Sequence, residues 1–362
     1  MAELDFDFKS FPTTRYQGSK RKMLPWIYKN VEKLEFNTVL DVCGGSGSVS
    51  YLFKKMGKSV TYNDKLTFNH LIGKALIQNQ GVLFTDEDLA GLLEVARQNP
   101  ADDFIQKTFQ SVYYPKKENK WLDAVNGGII NMNHYHGDIL DYKKSIAYYA
   151  LFQSCLVKRP FNLFHRKNLQ IRTKNVERNF GNKTTWETPF EKHFTKFIKE
   201  VNLSMFDSGV ECFATNQSAL EIENFNYDLV YIDPPYITKN DRSDSPSYLQ
   251  GYHFLEGIAN YAQWPEWIDF DTKNRSFREF KDEDPFSREN ITDALEELIS
   301  RFRESTIVLS YKKGGVPSIE TIVKIMKRYK TRVYTKSVHY QYALYKNNQD
   351  TKLNREVLII GV

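Results

Sequence analysis

The stretch "NTVLDVCGGSGSVSYLFKKMG", residues 37–57, constrains the fold more than any other part of the chain. An apolar run from Val39 to Val42 gives way to glycines, and apolar residues then return at helical spacing as far as Met56. This order predicts a strand, a tight turn and a helix that stops at Gly57. A second strand, "KSVTYND", follows at once. Two strands joined through a helix favour a parallel sheet with right-handed crossovers, and therefore an α/β protein.

The rest of the chain predicts how that sheet is completed. Strand signals return late, in "VECFATN", "YDLVYID", "TIVLSYKKGG", "TRVYTKSVHYQYAL" and "REVLIIGV". From about residue 80 to 205 helical patterns dominate, and "DEDLAGLLEVARQ" and "YKKSIAYYALFQSCLV" are the clearest of them. We therefore expect one sheet domain built from residues 1–80 and 206–362, a mostly helical insertion at 81–205, and a smaller interruption at 240–290.

Composition narrows the class of protein. Hydrophobic residues make up 41% and charged residues 26% of the chain, which is typical of a soluble globular protein. The three cysteines are far apart, which favours a reducing cytoplasm over a disulfide framework or a zinc site. No apolar run of about 18 residues exists, and the acidic start "MAELDFDFKS" lacks the apolar core of a signal peptide. We expect a cytoplasmic protein without a membrane span; its net charge of +5 does not by itself indicate a nucleic-acid partner.

Glycines between the first strand and its helix indicate a cofactor site. Gly44, Gly45 and Gly47 let the backbone turn tightly and let a ligand approach closely. Asp64 ends the second strand, a position from which an acid accepts hydrogen bonds from ribose hydroxyls in doubly wound sheets. The glycines lack the spacing of dinucleotide binders, so the turn suits a nucleoside cofactor without phosphates, and S-adenosylmethionine is the obvious candidate. A purely structural turn is the alternative.

The stretch "YIDPPY" ends an apolar strand on Asp233, fixes the chain with Pro234 and Pro235, and presents Tyr236. Because ligands bind beyond the carboxyl ends of strands in open α/β sheets, this tetrapeptide is expected beside the glycine turn. The Asp233 carboxylate and the Pro234 carbonyl are suited to accept the two N–H bonds of an exocyclic amino group, and the Tyr236 ring offers a face for the base. Such chemistry needs neither a metal nor a covalent intermediate. A turn with a surface tyrosine is the alternative.

Four motifs, "TRYQGSK", "LDVCGGSGSV", "YND" and "DPPY", occur in this order and resemble the alpha group of N6-adenine DNA methyltransferases, the group that contains DNA adenine methylase. The resemblance covers the sheet domain. It implies a mixed seven-stranded, Rossmann-like methyltransferase sheet, S-adenosylmethionine as the methyl donor, and flipping of the target adenine out of double-stranded DNA.

The resemblance also assigns residues. It implies catalytic roles for Asp233, Pro234, Pro235 and Tyr236, and cofactor contacts for Tyr16, Gly18, Lys20, Asp41, Gly45, Gly47, Asp64 and Asp233. Asn216 matches the family loosely, near the cofactor adenine, and its alternative role is a strand-end turn. Cys43 stands where the family usually has Phe, which changes the packing against the methionine portion of the cofactor.

Residues 158–178, here called the basic segment, carry far more positive charge than the chain average. Seven basic residues and the single acid Glu177 give a net charge of +6 (seven minus one). Basic side chains neutralise phosphates, and the interleaved Phe161 and Phe164 are able to stack or wedge, whereas a solvated polar face is the alternative. In the resembled family the target-recognition segment lies between the second and third sheet strands. We therefore predict DNA contacts by Lys158, Arg159, Arg166, Lys167, Arg172, Lys174 and Arg178.

The second interruption, 240–290, has a different composition. It carries six basic and eleven acidic residues, and "YLQGYHFLEGIANYAQW" within it has the spacing of a docked helix. Because it follows the tetrapeptide directly, we predict a lid that orders around cofactor or DNA, and a surface loop without gating is the alternative. We expect His253 to pack among its aromatic neighbours rather than to act as a catalytic base.

Together these features predict a site-specific DNA adenine methyltransferase of a restriction-modification system, with a possible cognate restriction endonuclease as partner. Methylation of cytosine N4 or of RNA bases remains an alternative, although Asp at the first position of the tetrapeptide favours adenine. An inactive DNA-binding subunit of a modification complex is a further alternative, against which the intact tetrapeptide and cofactor acid argue.

Overall fold

The computed structural model of the protein describes residues 8, 10–174, 183–223, 225–237, 248–278, 285–340 and 355–362. Within these residues seven strands form one sheet: β1 Thr38–Asp41, β2 Ser59–Asn63, β3 Phe213–Thr215, β4 Leu229–Ile232, β5 Thr306–Lys312, β6 Val333–His339 and β7 Arg355–Gly361. Their order is β3-β2-β1-β4-β5-β7-β6. The pairs among β1 to β5 are parallel, and β7 is antiparallel to both of its neighbours. The predicted mixed seven-stranded α/β sheet is confirmed.

Helices surround the sheet, and most of those in the described residues lie between β2 and β3, where the helical insertion was predicted. How the chain divides into domains at residues 80 and 205 stays a prediction. The helices are α1 Leu24–Val31, α2 Ser48–Lys55, α3 Thr67–Gly73, α4 Asp86–Arg97, α5 Phe104–Thr108, α6 Lys116–Ile130, α7 Gly137–Val157, α8 Leu169–Thr173, α9 Lys183–Glu187, α10 Phe190–Leu203, α11 Tyr248–Ala259, α12 Trp264–Trp267, α13 Ile291–Arg301 and α14 Ile319–Met326.

The central strands bury both of their faces. In β4, Leu229 and Tyr231 belong to the apolar cluster that includes residues of α2, α7 and α10, whereas Val230 and Ile232 belong to the cluster that includes residues of α13 and α14. Successive strand residues point to opposite faces, so this division defines a layer of helices on each side of the sheet. An apolar run without polar alternation, as in β4, is what such double burial requires.

The register of the sheet brings the predicted site together at one edge. Asp41, at the end of β1, pairs with Tyr62 of β2 and with Tyr231 of β4, and both pairings are parallel. The three strands therefore end side by side. Asp41, Asp64 and Asp233 follow or close these strands, so the fold places three acids along one rim.

Two classes of feature are not found in the described part of the chain. No helix there has the length and apolar character needed to cross a membrane. The same residues contain no group of three or more His, Cys, Asp or Glu side chains arranged to hold a metal ion.

Candidate active site

The glycine turn between β1 and α2 is packed against tyrosine rings. Gly45 and Gly47 have φ angles of 51° and 74°, in the left-handed region that favours glycine. A Cβ atom on Gly45 would lie 3.0 Å from the ring of Tyr16. The turn therefore needs glycine for the approach of a neighbouring ring as well as for its backbone conformation.

Asp64 is tied to this turn by its carboxylate. Oδ2 accepts a hydrogen bond from the Gly45 N–H at 2.9 Å, and Oδ1 accepts one from the Leu66 N–H at 2.9 Å. Burial raises the pKa of Asp64, and these two backbone donors lower it. Asp64, the acid predicted to bind the ribose, is therefore held in one orientation beside Gly45.

Asp41 carries a buried oxygen that no described residue satisfies. Its Oδ2 accepts a hydrogen bond from the Ser50 hydroxyl at 2.6 Å, whereas Oδ1 is buried and meets no donor at hydrogen-bond geometry among those residues. Burial raises the pKa of Asp41 to about 7, against the Ser50 hydroxyl, which lowers it. An acid in this state is suited to a ligand that brings a donor or a positive charge.

Tyr16 packs against two tyrosines of α11, which also contact each other with ring centroids 6.4 Å apart. Its ring lies 5.0 Å from Tyr252 at an interplanar angle of 8° and 5.5 Å from Tyr248 at 23°. The Tyr252 hydroxyl accepts a hydrogen bond from the Gln17 N–H at 2.7 Å, and a Cβ on Gly18 would meet the Tyr248 hydroxyl at 2.9 Å. The "TRYQGSK" motif is thus positioned by α11, a contribution that the sequence did not predict, although the aromatic spacing of this helix was a visible signal.

Lys20 and the tetrapeptide form a closed polar network. Lys20 Nζ donates a hydrogen bond to Asp233 Oδ1 and pairs with its Oδ2, both at 2.8 Å, and lies 2.7 Å from the Tyr236 hydroxyl. The Tyr236 hydroxyl also lies 2.7 Å from Asp233 Oδ1, and the ammonium lies 4.7 Å from the centre of the Tyr236 ring. Lys20 therefore occupies the Asp233 acceptor that the sequence assigned to a target base, and it also contacts the hydroxyl end of the Tyr236 ring.

The ionisation of this network follows from its charges. Burial lowers the pKa of Lys20, but Asp233 and Glu356 outweigh burial and raise it, so Lys20 is a cation. The pKa of Asp233 is raised, mainly by burial, with Lys20 working against the shift and Glu356 adding to it. One buried cation thus faces two acids, Asp233 directly and Glu356 at 3.5 Å.

Adjacent residues join the glycine turn to the tetrapeptide. The Ser19 hydroxyl lies 3.1 Å from the Ser46 hydroxyl inside the turn, and the next residue, Lys20, is bound to Asp233. The backbone N–H of Val42 also donates to the carbonyl of Tyr231 at 3.0 Å. The two sites that the sequence predicted separately therefore form one site.

Glu356 of β7 belongs to this site and was missed. It accepts hydrogen bonds from the Ser310 hydroxyl at 2.7 Å and, at shorter range, from the Tyr236 hydroxyl. The sequence analysis treated "REVLIIGV" only as sheet core, but an acid inside an otherwise apolar strand was a signal. Lys20, Asp233–Tyr236 and Glu356 are called the catalytic corner below.

Asn216 ties two strand ends together. Its side-chain amide donates to the carbonyls of Asp64 and Lys65 at 2.8 and 2.9 Å. These contacts fit the strand-end role that the sequence left open, and a contact with the cofactor adenine stays a prediction.

Three residues of the basic segment are buried, which corrects their predicted role. Lys158 is 0% exposed and pairs with Glu118 at 2.8 Å, and Arg172 pairs with the same carboxylate at 2.9 Å. Arg159 is 2% exposed and donates to the carbonyls of Leu163 and Arg166 at 3.1 and 2.9 Å. These side chains hold the inserted helices together and are not placed to meet phosphates.

Three of the four remaining basic residues of the segment are exposed, namely Arg166, Lys167 and Lys174. The fourth, Arg178, lies outside the described residues. Beside them Phe161 is 60% exposed and has a φ of 63°, a left-handed conformation that is uncommon for an aromatic residue. The buried Arg159 guanidinium bonds the carbonyls on the far side of this bend, so it fixes the loop that displays Phe161.

The second interruption contributes a buried helix. α11 carries the docked pattern that the sequence predicted, and its Glu256 accepts hydrogen bonds from the N–H groups of Thr67 and Phe68, both at 3.0 Å, at the start of α3. His253 is fully buried, lies 2.8 Å from the Tyr113 hydroxyl, and has its pKa lowered to about 3 by burial, which fits packing. The lid remains a prediction, and residues 238–247 and 279–284 of this region lie outside the described part.

Comparison with protein families matches residues 16–259 to the D12 class of N6 adenine-specific DNA methyltransferases. The chain belongs to this family. The matched range begins at Tyr16 and contains the glycine turn, the basic segment, the tetrapeptide and α11. It ends before β5, β6 and β7, so Glu356 lies outside the part of the D12 class that the match covers.

Three curated relatives are similar to the chain. Type II methyltransferase M2.HphI of Haemophilus parahaemolyticus is 28% identical over 232 residues, which are 62% of this chain and 66% of that protein. Modification methylase StsI of Streptococcus sanguinis is 25% identical over 87% of this chain and 46% of its own length. Type II methyltransferase M.NlaIII of Neisseria lactamica is 24% identical over 87% and 88%, respectively. The chain therefore spans less than two thirds of the first two relatives.

Proposed function

We propose that this protein transfers a methyl group from S-adenosylmethionine to the N6 atom of adenine in double-stranded DNA. The observation that carries the proposal is a pair of contacts by adjacent residues, Ser19 with Ser46 of the glycine turn and Lys20 with Asp233 of the tetrapeptide. Membership of the D12 class and the names of the three relatives support the same activity. We further propose a site-specific, cytoplasmic modification enzyme that works beside a restriction endonuclease.

The residues around the glycine turn fit the cofactor. The unsatisfied Oδ1 of Asp41 offers a buried acceptor, and Asp64 is an oriented acid at the strand end where ribose hydroxyls bind in this class of sheet. Tyr16, Gly18, Gly45 and Gly47 would contact the same cofactor, and Asp233 would border its methyl group. When bound, S-adenosylmethionine supplies an activated methyl group on a positively charged sulfur.

The tetrapeptide acts on the amino group of the target base. An exocyclic amino nitrogen is a poor nucleophile because its lone pair is delocalised into the ring. The Asp233 carboxylate and the Pro234 carbonyl accept hydrogen bonds from its two N–H groups. These contacts hold the nitrogen in place and favour a lone pair that points out of the ring plane. Asp233 then takes up the proton that the nitrogen releases after methylation, and Pro235 keeps both acceptors from shifting.

Entry of the base requires Lys20 to give up a contact with Asp233. In the structure its ammonium bonds Asp233 and the Tyr236 hydroxyl. A flipped adenine that stacks on Tyr236 and bonds Asp233 takes the first of these places. Lys20 remains close as the positive partner of the two acids, which keeps Asp233 ionised for the incoming amino group.

The helical insertion supplies the DNA face in this proposal. Arg166, Lys167 and Lys174 are exposed for phosphate contacts, and Phe161 projects from the strained bend beside them. The insertion at 81–205 then serves as the target-recognition domain, and the lid at 240–290 closes over the bound ligands.

The test is methyl transfer by the purified protein. We expect labelled methyl groups from S-adenosylmethionine to appear in duplex DNA as N6-methyl-2′-deoxyadenosine when the digested nucleosides are separated by mass spectrometry. N4-methyl-2′-deoxycytidine in the same digest, or transfer to RNA alone, would replace the proposal with one of the other base methyltransferases. DNA binding without any transfer would identify an inactive subunit. Sequencing of the modified bases would give the recognition site.

A further inference from the structure

Glu356 is an acid in a strand that is apolar after it and begins with the exposed Arg355. It lies near the start of β7, opposite Lys312 of β5, and is 0% exposed, while Val357, Leu358 and Ile359 after it are core residues. A buried carboxylate costs several kcal/mol unless it is hydrogen-bonded or paired. Its partners therefore indicate what it is for.

Those partners include the catalytic corner and one supporting hydroxyl. Ser310, from the neighbouring strand β5, donates to Glu356 Oε1 at 2.7 Å. The Tyr236 hydroxyl donates to the same oxygen, and Lys20 Nζ lies 3.5 Å away. Glu356 and Ser310 are held by the β5–β7 ladder, which runs from Ile307–Gly361 to Lys312–Glu356, so the acid has a rigid base.

We propose that Glu356 is a positioning residue of the active site, which holds the Tyr236 hydroxyl and thereby fixes the ring on which the target base stacks. The proposal rests on the function proposed above. It concerns a strand outside the residues matched to the D12 class.

The geometry shows why a second anchor matters. The Tyr236 ring meets Tyr311 edge-on, with centroids 5.3 Å apart at 72°, and that contact limits one side of the ring. Its hydroxyl is held between Asp233 and Glu356. When the base displaces Lys20, Asp233 is engaged in catalysis. The hydrogen bond from the Tyr236 hydroxyl to Glu356 does not involve Asp233. A ring fixed in this way presents the same face at every turnover.

Glu356 also sets the charge that Asp233 experiences. The titratable groups that face these two acids are Lys20, Asp41, Tyr231, Tyr236 and Tyr340. Among them Lys20 lowers the pKa of Asp233, whereas Glu356 raises it. Replacement of Glu356 by a neutral residue therefore lowers the pKa of Asp233, which gives the proposal a readout that a loss of packing does not produce.

The experiment compares Glu356→Leu with Tyr236→Phe and with the double variant, in the full chain. Leucine removes both the charge and the acceptor, whereas glutamine would keep an oxygen that accepts hydrogen bonds from the Tyr236 and Ser310 hydroxyls. We expect Glu356→Leu to lower kcat about tenfold to a hundredfold with little change in KM for DNA, because a misplaced ring affects the reacting geometry. Activity depends on ionised Asp233, so the acidic limb of the pH profile of kcat/KM should move to lower pH. The double variant should be no worse than the poorer single variant, because both remove the hydrogen bond between Tyr236 and Glu356.

A second measurement does not depend on turnover. DNA with 2-aminopurine at the target position should show brighter fluorescence when bound to Glu356→Leu than to the unchanged protein, since a base that stacks poorly on Tyr236 is less quenched. Asp123→Asn is the matched control, because Asp123 is a buried acid that bonds the Ile105 and Gln106 N–H groups. It should reduce stability and leave the pH limb and the fluorescence unchanged.

The outcomes separate this proposal from the function on which it rests. If the unchanged protein methylates DNA and Glu356→Leu keeps its kcat, its pH limb and the dim fluorescence, Glu356 is only structural and the proposal is wrong. Independent losses that multiply in the double variant would equally overturn it. If the unchanged protein does not methylate DNA, the proposed function itself fails, whatever Glu356 does.

Discussion

The catalytic corner and the basic segment both draw charged residues together, but they use charge in opposite ways. In the catalytic corner Lys20, Asp233 and Glu356 come from three distant parts of the sequence and meet at the edge of the sheet. In the basic segment neighbouring residues separate, since Lys158 and Arg159 point inward and Arg166 and Lys167 point to solvent.

This difference shows which sequence signals determine where a charged side chain points. A residue that follows a strand of an open α/β sheet must lie at the ligand-binding edge, because the strand itself determines where it ends. A run of basic residues in turns and short helices has no such constraint, and a partly buried acid such as Glu118 is enough to draw Lys158 and Arg172 inward. The density of positive charge alone therefore predicted more DNA contacts than the exposed side chains of the segment can make.

The largest effect is expected from Asp233→Ala in the catalytic corner. Loss of the carboxylate removes both the acceptor for the amino group and the acceptor for its proton, so methyl transfer should fall by roughly a thousandfold or more. Single-turnover methylation of a duplex checks this. The control is Asp141→Ala, which removes an exposed carboxylate paired with Lys74 and should keep full activity. Activity of the Asp233 variant within a few-fold of the unchanged protein would show that the corner is not the catalytic site.

Glu118→Ala tests the inward half of the basic segment. It leaves Lys158 buried without its acid, so we expect the free energy of unfolding to fall by about 3 kcal/mol or more. Denaturant unfolding measures the change. Glu191→Ala is the matched control, because its pair with Arg97 is exposed and should contribute about 0–1 kcal/mol. Equal and small losses of unfolding free energy in both variants would indicate that Lys158 and Arg172 lie at the surface, as the prediction of DNA contacts requires.

Much of the fold follows from the sequence because its signals are local. The apolar run before Asp233 and the glycine turn after β1 determine their own conformations, and parallel pairing then brings them to one edge. Glu356 could not be placed in the same way. The strand that carries it is last in the chain yet lies between β5 and β6, an order that no local pattern encodes.

The cluster that Tyr16 forms with Tyr248 and Tyr252 illustrates the same limit. The helical spacing of α11 predicts that its aromatic face is buried, but not against which segment. That choice depends on how the chain returns from the tetrapeptide to the edge of the sheet. Sequence position therefore predicts the residues that end strands better than the residues that support them from other elements.

Asp41 offers a smaller test at the cofactor end of the corner. Its pKa is raised to about 7, so the fraction ionised falls from roughly nine tenths at pH 8 to one tenth at pH 6. If the ionised acid receives a positively charged part of the cofactor, binding of S-adenosylmethionine should weaken about tenfold over that interval. Calorimetric titration at both pH values measures it. Asp41→Asn should bind more weakly and lose most of the pH dependence; a variant that keeps the dependence would assign it to another group.

The smallest effect is expected from Lys167→Ala, which tests the outward half of the basic segment. Lys167 is exposed, so its removal should leave stability unchanged, weaken DNA binding a few-fold, and reduce the slope of log affinity against log salt by about 0.9 if it neutralises one phosphate. Fluorescence anisotropy over a salt series measures the slope. Lys324→Ala, which removes an exposed lysine of α14 on the other face of the sheet, is the control and should leave the slope as it is. Equal slopes in both variants would mean that the exposed residues of the segment do not face DNA, and the DNA-binding surface would then have to lie elsewhere on the insertion.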